Sequence, residues 1–186
     1  MNSKDLEKIK IKIDIDGVLR DILHSMCKAY NNAFKCNIHP EDVIEYELDK
    51  TFTKCMEEEN ITPYEWFFER HTTYINIFSS LLDRADEAMR MLREKGYYII
   101  IVSYQKTNEQ QIDTLLWLKN KGIYYDSICF TDKKELIDGD IVVDDNIKFL
   151  DNCKESRKIC IDAPYNIGKH QYEHYKSLYD FASIID

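Results

Sequence analysis

The sequence contains no C-x-x-C pair, no apolar segment at its N-terminus and no long hydrophobic run. Because an isolated cysteine behaves as a small buried hydrophobe, we expect the scattered thiols to be reduced and structural. Met1 to Lys10 is polar and charged, unlike a secretory signal, and no apolar run approaches the roughly 20 residues that span a bilayer. These absences predict a soluble, cytoplasmic protein without a membrane segment. The cysteines are Cys27, Cys36, Cys55, Cys129, Cys153 and Cys160.

Basic charge is also scarce. The 186 residues include 25 Lys and Arg against 34 Asp and Glu, which gives a formal net charge of -9. Such a balance disfavours a general electrostatic grip on nucleic acid or on an anionic membrane surface, so we expect a small ligand and no long nucleic acid. The length fits one domain of ordinary size, or one domain with a modest insertion.

Five segments have the composition of β-strands. Residues 9–15 alternate apolar and charged side chains, and residues 97–103 are nearly all apolar, as expected for a strand covered on both faces of a parallel sheet. Shorter apolar segments follow at residues 127–130, 141–143 and 158–161. With helical patterns between them, these strands predict an α/β fold with a doubly wound parallel sheet of about five strands.

Signals for helix ends support this alternation. Asp83 is placed to cap a helix that ends before Gly96, and Thr107 is placed to form a capping box with Gln110 at the start of a helix that ends before Gly122. Near the C-terminus, one apolar stripe predicts a last helix packed on the sheet. The residues of that stripe are Tyr172, Tyr175, Leu178, Tyr179 and Ala182.

The first connection is too long for a crossover loop. Between the first two strands the sequence has helical patterns at residues 21–34 and 63–78 rather than further strands. We therefore predict a helical cap, residues 18–79, inserted over the carboxyl ends of the strands. Residues 1–17 and 80–186 would form the α/β catalytic core.

Acidic residues follow two of the predicted strands. Asp14 and Asp16 end the first strand, where ligands bind in open α/β sheets, and alternate residues of an extended chain point the same way. Taken alone, this pair could equally lead into a turn at Gly17. A second pair, Asp144 and Asp145, follows the fourth predicted strand. Hard divalent cations such as Mg²⁺ prefer carboxylate ligands, and the two pairs would repel one another without a cation.

Four pieces of the sequence form a recognisable set. They are Asp14-x-Asp16-Gly-Val-x-x-Asp21, Ser103 at the end of an apolar strand, Lys134 shortly before the second acidic pair, and Asp144-Asp145 itself. Together they resemble the haloacid dehalogenase (HAD) superfamily, and within it the 5′(3′)-deoxyribonucleotidase (cytosolic type C nucleotidase) family. Pro164-Tyr165-Asn166 is similar to a loop of bacterial relatives. The resemblance implies a HAD-like, Rossmannoid core beneath the cap.

The resemblance also implies roles for individual residues. Asp14 would attack phosphorus and form an aspartyl-phosphate, and Asp16 would act as acid and then as base. Ser103 and Lys134 would bind the phosphoryl oxygens. Because dehalogenases that resemble this fold lack an acid at the position of Asp16, phosphate transfer is favoured over dehalogenation.

The resemblance also implies a magnesium site. The ligands would be the carboxylate of Asp14, the backbone carbonyl of Asp16 and Asp144, with Asp145 assisting through water. The cation would let a carboxylate approach an anionic phosphate and would stabilise the transferring group. Mg²⁺ is therefore the expected cofactor.

The substrate is less constrained than the reaction. We expect a small phosphorylated molecule, a nucleotide by resemblance, with a sugar phosphate, a phosphorylated cofactor or a nucleic-acid end as alternatives. A catalytically silent HAD-fold binding module is a further alternative. Candidate pocket residues are Arg20 and Tyr104, which depart from the family pattern, and Trp66 and Phe67, which could stack on a base or form the core of the cap.

Overall fold

The computed structural model describes residues 8–168 and 171–186. Its strands, in chain order, are β1 (Lys10–Ile13), β2 (Arg20–Asp21), β3 (Ser80–Leu81), β4 (Tyr98–Ser103), β5 (Ser127–Phe130), β6 (Ile141–Asp144), β7 (Arg157–Ile161) and β8 (Glu173–Tyr175). Six of them form a parallel sheet in the order β5-β4-β1-β6-β7-β8. The short β2 and β3 pair antiparallel at either end of the connection between β1 and β4.

Helices occupy most of the remaining chain. They are α1 (Ile22–Phe34), α2 (Lys54–Glu59), α3 (Pro63–Glu65), α4 (Thr72–Phe78), α5 (Ala85–Glu94), α6 (Asn108–Asn120), α7 (Ile147–Asn152) and α8 (Leu178–Ile184), with a π-helical turn at Trp66–Arg70 and 3₁₀ turns at Pro40–Asp42, Leu48–Lys50 and Lys134–Leu136. Among the described residues, no helix has the length and apolar character needed to cross a bilayer. The six cysteines all lie within the described ranges and form no disulfide.

Helices cover both faces of the sheet. On one face the fully buried Ile11, Ile13 and Ile99 pack in a cluster that includes residues of α5, α6 and α8. On the other face Val142 packs with Leu150 of α7. This arrangement follows from the alternation of strand side chains between the two faces. The predicted α/β fold with a doubly wound parallel sheet is confirmed.

The sheet has six strands rather than about five, because the edge strand β8 was not predicted. It pairs with β7, and Glu173 accepts two hydrogen bonds of 2.9 Å from the guanidinium of Arg157. The predicted C-terminal helix over Tyr172 to Ala182 is wrong in its first part, since α8 begins after its N-cap Ser177. A short polar edge strand carries little apolar pattern, so the spacing of the tyrosines indicated a helix instead.

The predicted helix ends are partly confirmed. Thr107 and Gln110 form the capping box of α6, with each side chain accepting a 3.2 Å hydrogen bond from the backbone amide of the other. Asp83 does not cap α5, because Arg84 takes the N-cap position in the left-handed region, with φ of 50°. After α5, Gly96 adopts a φ of 88°, as expected for a residue that ends a helix.

A second hydrophobic cluster lies among the helices between β2 and β3. At its centre is the fully buried Tyr30, whose ring centroid lies 5.0 Å from that of Phe52, 5.2 Å from Trp66 and 5.7 Å from Phe67. The Tyr30 hydroxyl oxygen accepts a 2.9 Å hydrogen bond from the backbone amide of Cys55. The residues of this connection therefore have an aromatic core distinct from the sheet.

The second cluster motivates the division of the chain predicted above, although Val18 and Leu19 pack in the cluster of the sheet. We propose that residues 18–79 form the helical cap and that residues 1–17 and 80–186 form the α/β core. Ala163 and Tyr165, from the loop after β7, also join the cap cluster and link it to the core. Residues 1–7 lie outside the part of the chain that the structure describes.

Replacing Trp66 by alanine tests the core of the cap. The side chain is 2% exposed, so Trp66→Ala should lower the free energy of unfolding by about 3–5 kcal/mol through lost burial and a residual cavity. Urea denaturation followed by circular dichroism measures the change. Tyr74→Ala, at a side chain 38% exposed on α4, is the matched control and should lose about 1 kcal/mol or less. Equal losses would contradict the central position of Trp66.

Candidate active site

Three neighbouring strands end at the same edge of the sheet. Asp14 directly follows β1, Ser103 is the last residue of β4 and Asp144 is the last residue of β6. Because the strand order is β4-β1-β6, these residues lie side by side. The backbone amide of Asp14 donates a 3.0 Å hydrogen bond to the carbonyl of Val143, which extends the β1–β6 ladder up to the site. The parallel sheet thus brings together residues that are distant in sequence.

A buried group of charges forms where these strands end. Carboxylate oxygens of Asp14, Asp144 and Asp145 lie within 4.8 Å of one another, and all three residues are buried. Lys134 Nζ lies 2.8 Å from Asp14 Oδ2 and 3.0 Å from Asp144 Oδ2. Three carboxylates thus share one ammonium, which leaves excess negative charge in a site that excludes most water. We call these four residues the acidic cluster.

Burial, together with neighbouring negative charge, raises the pKa values of two carboxyl groups in the acidic cluster. Burial raises the pKa of Asp14 to about 7, against the opposing effect of Lys134 and with a further contribution from Asp144. Burial and the charge of Asp144 raise the pKa of Asp145 well above its ordinary value. Burial would lower the pKa of Lys134, but Asp14 and Asp144 outweigh it and raise that pKa overall. The lysine therefore stays an ammonium ion.

The acidic cluster fits a hard divalent cation. Asp14 Oδ1 is buried and has no hydrogen-bond partner within the described part of the chain. Divalent cations such as Mg²⁺ take several oxygen ligands, usually carboxylates together with water and substrate phosphate. Asp14, Asp144 and Asp145 therefore have the chemistry of metal ligands. The direct roles of Asp14 and Asp144 and the role of Asp145 through water stay predictions. The backbone carbonyl of Asp16 stays a prediction as a further ligand.

A cavity of about 740 Å³ opens above the acidic cluster. Its volume is within the range of about 300–1,000 Å³ that is common for small-molecule sites. Asp14, Asp16, Ser103 and Lys134 line the cavity together with residues of α1 and of the segment around α3. The predicted nucleophile, acid and phosphate-binding residues therefore line one cavity.

Comparison with known proteins identifies the family. The family model described as "5' nucleotidase, deoxy (Pyrimidine), cytosolic type C protein" matches residues 7–185. The chain belongs to this family. Membership makes it a hydrolase of phosphoric monoesters of the nucleotidase type, as the resemblance of the sequence motifs implied.

Individual relatives of this nucleotidase support its family and fold. A 5'(3')-deoxyribonucleotidase of Clostridium acetobutylicum is 23% identical over 184 residues, which cover 97% of this chain and 97% of that protein. Among solved structures, a dehalogenase superposes with a TM-score of 0.59 at 14% identity, covering 96% of this chain and 97% of the other. A HAD-superfamily hydrolase from Ehrlichia chaffeensis has a TM-score of 0.51 at 15% identity and 94% coverage of each chain. These structures confirm the HAD-like fold.

The structure separates the residues that were predicted to line the substrate pocket of this nucleotidase. Tyr104 lines the cavity, but Trp66 and Phe67 do not, because they are 2% and 0% exposed within the aromatic core of the cap. Their neighbour Phe68 lines the cavity instead. Arg20 is also absent from the cavity wall and is fully buried beneath Asp16.

The sequence did not predict the contacts around Asp16. Arg20 donates a 2.6 Å hydrogen bond from Nε to Asp16 Oδ1 and a 3.0 Å hydrogen bond from Nη2 to Asp16 Oδ2. Gln105 Nε2 donates to the same Oδ2 at 3.2 Å and to Ser103 Oγ at 3.3 Å. The position of Gln105, two residues after Ser103, was the only available signal, since alternate residues can share one side of an extended chain.

Two polar side chains and one backbone amide also hold carboxylates of the acidic cluster in place. The hydroxyl of Tyr165 donates a hydrogen bond to Asp145 Oδ2, and Asn166 Nδ2 donates a 2.8 Å hydrogen bond to the carbonyl of Asp145. The backbone amide of Asn146 donates a 2.9 Å hydrogen bond to Asp144 Oδ1. The Pro164-Tyr165-Asn166 loop, noted as a minor resemblance, thus holds Asp145 in place.

Lys12 fixes the loop that carries Lys134. It lies in β1 with 1% exposure, and its Nζ donates hydrogen bonds of 3.1 Å to the carbonyl of Lys134 and 2.9 Å to that of Ile137. Lys12 also forms an ion pair with Glu155. Because Lys134 stands on a single 3₁₀ turn rather than on a strand, this buried support limits the movement of its ammonium group.

Gly17 has no room for a side chain beside the acidic cluster. Its φ is 79°, and a Cβ atom at this position would lie 2.5 Å from Cγ of Asp145, whose position Tyr165 holds. The turn after Asp16 therefore approaches Asp145 more closely than any residue with a side chain allows.

Gly17→Ala should greatly reduce phosphatase activity while the folding free energy falls only modestly. The added methyl group displaces Asp145 by a distance on the order of 1 Å, and such a misplacement is worth about 100-fold in rate. Gly96→Ala is the matched control, because Gly96 has a φ of 88° but no atom within 4 Å of the added Cβ. Both variants should lose about 1–2 kcal/mol of folding free energy to backbone strain. Steady-state kinetics measure the activity of each variant, and thermal unfolding measures its stability. Equal activities of the Gly17→Ala and Gly96→Ala variants would contradict the prediction.

Proposed function

We propose that this nucleotidase is a Mg²⁺-dependent phosphomonoester hydrolase that acts on (deoxy)nucleoside monophosphates through an aspartyl-phosphate. The observation that carries the proposal is the acidic cluster: Asp14, Asp145 and Lys134 line one cavity, and Asp144 lies beside them, 3.0 Å from Lys134 Nζ. The description of the family as cytosolic supports a cytoplasmic location.

In the first half-reaction, an oxygen of Asp14 forms a bond to phosphorus while the bond from phosphorus to the ester oxygen breaks. Asp16, which lines the same cavity, donates its proton to the departing oxygen and releases the nucleoside. In the second half-reaction, Asp16 removes a proton from a water molecule that attacks the phosphorus. Phosphate then leaves and the Asp14 carboxylate is restored.

The acidic cluster must also accept an anionic substrate. Asp14, Asp144 and Asp145 would hold Mg²⁺, which supplies positive charge that lets a carboxylate approach a phosphate. Lys134 Nζ, already 2.8 Å from Asp14, is positioned to bind a phosphoryl oxygen next to the nucleophile. Ser103 Oγ, at the end of β4, can donate a hydrogen bond to another phosphoryl oxygen.

Aromatic residues on the cap side support a nucleoside leaving group. The rings of Tyr64 and Phe68 have centroids 5.1 Å apart and both line the cavity, as does Tyr104, which is 47% exposed. A nucleobase stacks on such faces with about 1–3 kcal/mol per base. A plain sugar phosphate offers no flat face for this wall to contact.

Acidic residues along the cavity argue against substrates with further phosphate groups. Glu47, Asp49 and Asp132 line it and are exposed, and Glu47 also forms an ion pair with Lys148. Repulsion between these carboxylates and a second phosphate would weaken binding of a bisphosphate or of a nucleic-acid end. A monophosphate with an uncharged leaving group is the better fit.

A substrate panel tests the proposal. Nucleoside 5′- and 3′-monophosphates should have higher kcat/KM with Mg²⁺ than a sugar phosphate, pyridoxal phosphate or a 5′-phosphorylated oligonucleotide. Asp14→Asn should reduce the rate by about 10⁴-fold or more, because it removes the nucleophile. Asp132→Asn, a cavity carboxylate outside the acidic cluster, should retain most activity. Hydrolysis of other esters but of no nucleotide contradicts the substrate claim, and an active Asp14→Asn protein contradicts the nucleophile.

Mg²⁺ should raise the thermal midpoint more at pH 8 than at pH 6. With the pKa of Asp14 raised to about 7, a cation must displace a proton at pH 6 but not at pH 8. Because this pKa lies above that of the unfolded chain, the proton stabilises the metal-free protein at pH 6, and this contribution is lost as pH rises through about 7. Thermal unfolding with and without Mg²⁺ measures both effects. Asp14→Asn should remove much of the difference between the Mg²⁺-induced rises at pH 8 and pH 6. A larger rise in the thermal midpoint with Mg²⁺ at pH 6 than at pH 8 would contradict the assignment of Asp14 as a metal ligand.

A further inference from the structure

Arg20 is a fully buried charge whose hydrogen bonds connect core and cap. Its Nε and Nη2 donate to the two carboxylate oxygens of Asp16 at 2.6 Å and 3.0 Å. Its Nη1 donates to the carbonyl of Asn76 in α4 at 3.1 Å and to Thr114 Oγ1 in α6 at 3.4 Å. The guanidinium also lies over the ring of Trp117, 5.3 Å from its centroid. Burial of such a charge is unfavourable unless it is paired in this way.

The pairing with Asp16 fixes the plane of its carboxylate. A guanidinium that binds both oxygens of a carboxylate imposes direction as well as position. Gln105 adds a third hydrogen bond, of 3.2 Å, to Asp16 Oδ2. The side chain of Asp16 is nevertheless 26% exposed and lines the cavity. Each carboxylate oxygen has a second lone pair, which can carry the proton that Asp16 gives to the leaving oxygen and can later take a proton from the attacking water.

We propose that Arg20 is a positioning residue that holds the carboxylate of Asp16 in the orientation needed to exchange a proton with the leaving oxygen. The inference rests on the proposed function, because it assigns Asp16 the acid role. Arg20 does not line the cavity, so its link to the cavity is its contact with Asp16. Its bond to the carbonyl of Asn76 anchors the clamp on a cap helix.

The role predicts a dependence on the leaving group. When Asp14 bonds to phosphorus and the ester bond breaks, an alkoxide of a nucleoside requires the proton of Asp16 to leave. A 4-nitrophenolate is a stable anion and leaves without that proton. Loss of the pairing between Arg20 and Asp16 should therefore impair hydrolysis of a nucleoside monophosphate more than hydrolysis of 4-nitrophenyl phosphate. A distortion of the acidic cluster would impair hydrolysis of both esters.

The experiment measures kcat/KM for a nucleoside monophosphate and for 4-nitrophenyl phosphate in four variants. Arg20→Met removes the clamp, Arg20→Lys keeps one donor, and Asp16→Asn removes the acid. Arg157→Met is the matched control, because Arg157 forms a two-point pair with Glu173, both bonds 2.9 Å, outside the cavity. The quantity compared is kcat/KM for the nucleoside monophosphate divided by kcat/KM for 4-nitrophenyl phosphate. This ratio is independent of the fraction of active protein, and thermal unfolding monitors folding.

We expect the ratio to fall by about 10- to 100-fold in Arg20→Met, within the range of general acid catalysis, and by less in Arg20→Lys. Asp16→Asn should lower it at least as much, and Arg157→Met should leave it unchanged. If Arg20→Met does not fold, Arg20→Lys decides. An unchanged ratio in a folded Arg20 variant overturns this inference alone. A wild-type protein that hydrolyses neither ester overturns the proposed function, and the positioning role with it.

Discussion

Three carboxylates buried around a single ammonium group impose the strongest constraint on this structure. Transfer of ions from water costs several kcal/mol each unless other charges and dipoles replace the water. Lys134 contacts Asp14 and Asp144, while the hydroxyl of Tyr165 reaches Asp145. Burial raises the pKa of Asp14, with a further contribution from the charge of Asp144 that Lys134 opposes. A divalent cation would supply the missing positive charge.

The surrounding fold keeps this unfavourable group in place. Asp14 and Asp144 are held by adjacent central strands, so their separation is fixed by the hydrogen-bond ladder between β1 and β6. Lys134 stands on a short turn, and a second buried lysine, Lys12, supports that turn from below. Gly17 then lets the chain turn within van der Waals reach of Asp145. The closeness of the charges thus follows from backbone positions rather than from flexible side chains.

The positions of the site residues were largely predictable from sequence, because they depend on strands. Apolar runs locate parallel strands well, and polar residues just after such runs must meet at one edge of the sheet. Asp14, Ser103 and Asp144 lie together at that edge for this reason. The roles assigned to them stay proposals. The short polar strand β8 lacked an apolar run, so its position could not be predicted.

The cap was less predictable, because a helical pattern does not reveal which side of an aromatic run faces a ligand. Trp66, Phe67 and Phe68 are consecutive, yet the first two fill the core of the cap and only Phe68 lines the cavity. They lie in a π-helical turn, whose wider spacing rotates side chains away from the positions expected for an α-helix. Arg20 was similarly recognisable as unusual, but its inward direction depends on α4 and α6, which are distant in sequence.

The way the cap joins the core separates the chemistry from the choice of substrate. Side chains of α6 in the core reach across to backbone carbonyls of the cap: Gln110 to Phe68 at 2.6 Å and Trp117 to Ser79 at 2.8 Å. Arg20 of the cap makes the reverse connection, because it binds Asp16 of the core as well as the carbonyl of Asn76. Backbone acceptors are present whatever side chains the cap carries. Substitutions on the cap wall of the cavity can therefore change the leaving-group pocket while the attachment and the acidic cluster stay in place. In the proposed function, the strand ends carry out the reaction, and the cap side chains would select the ester that reaches them.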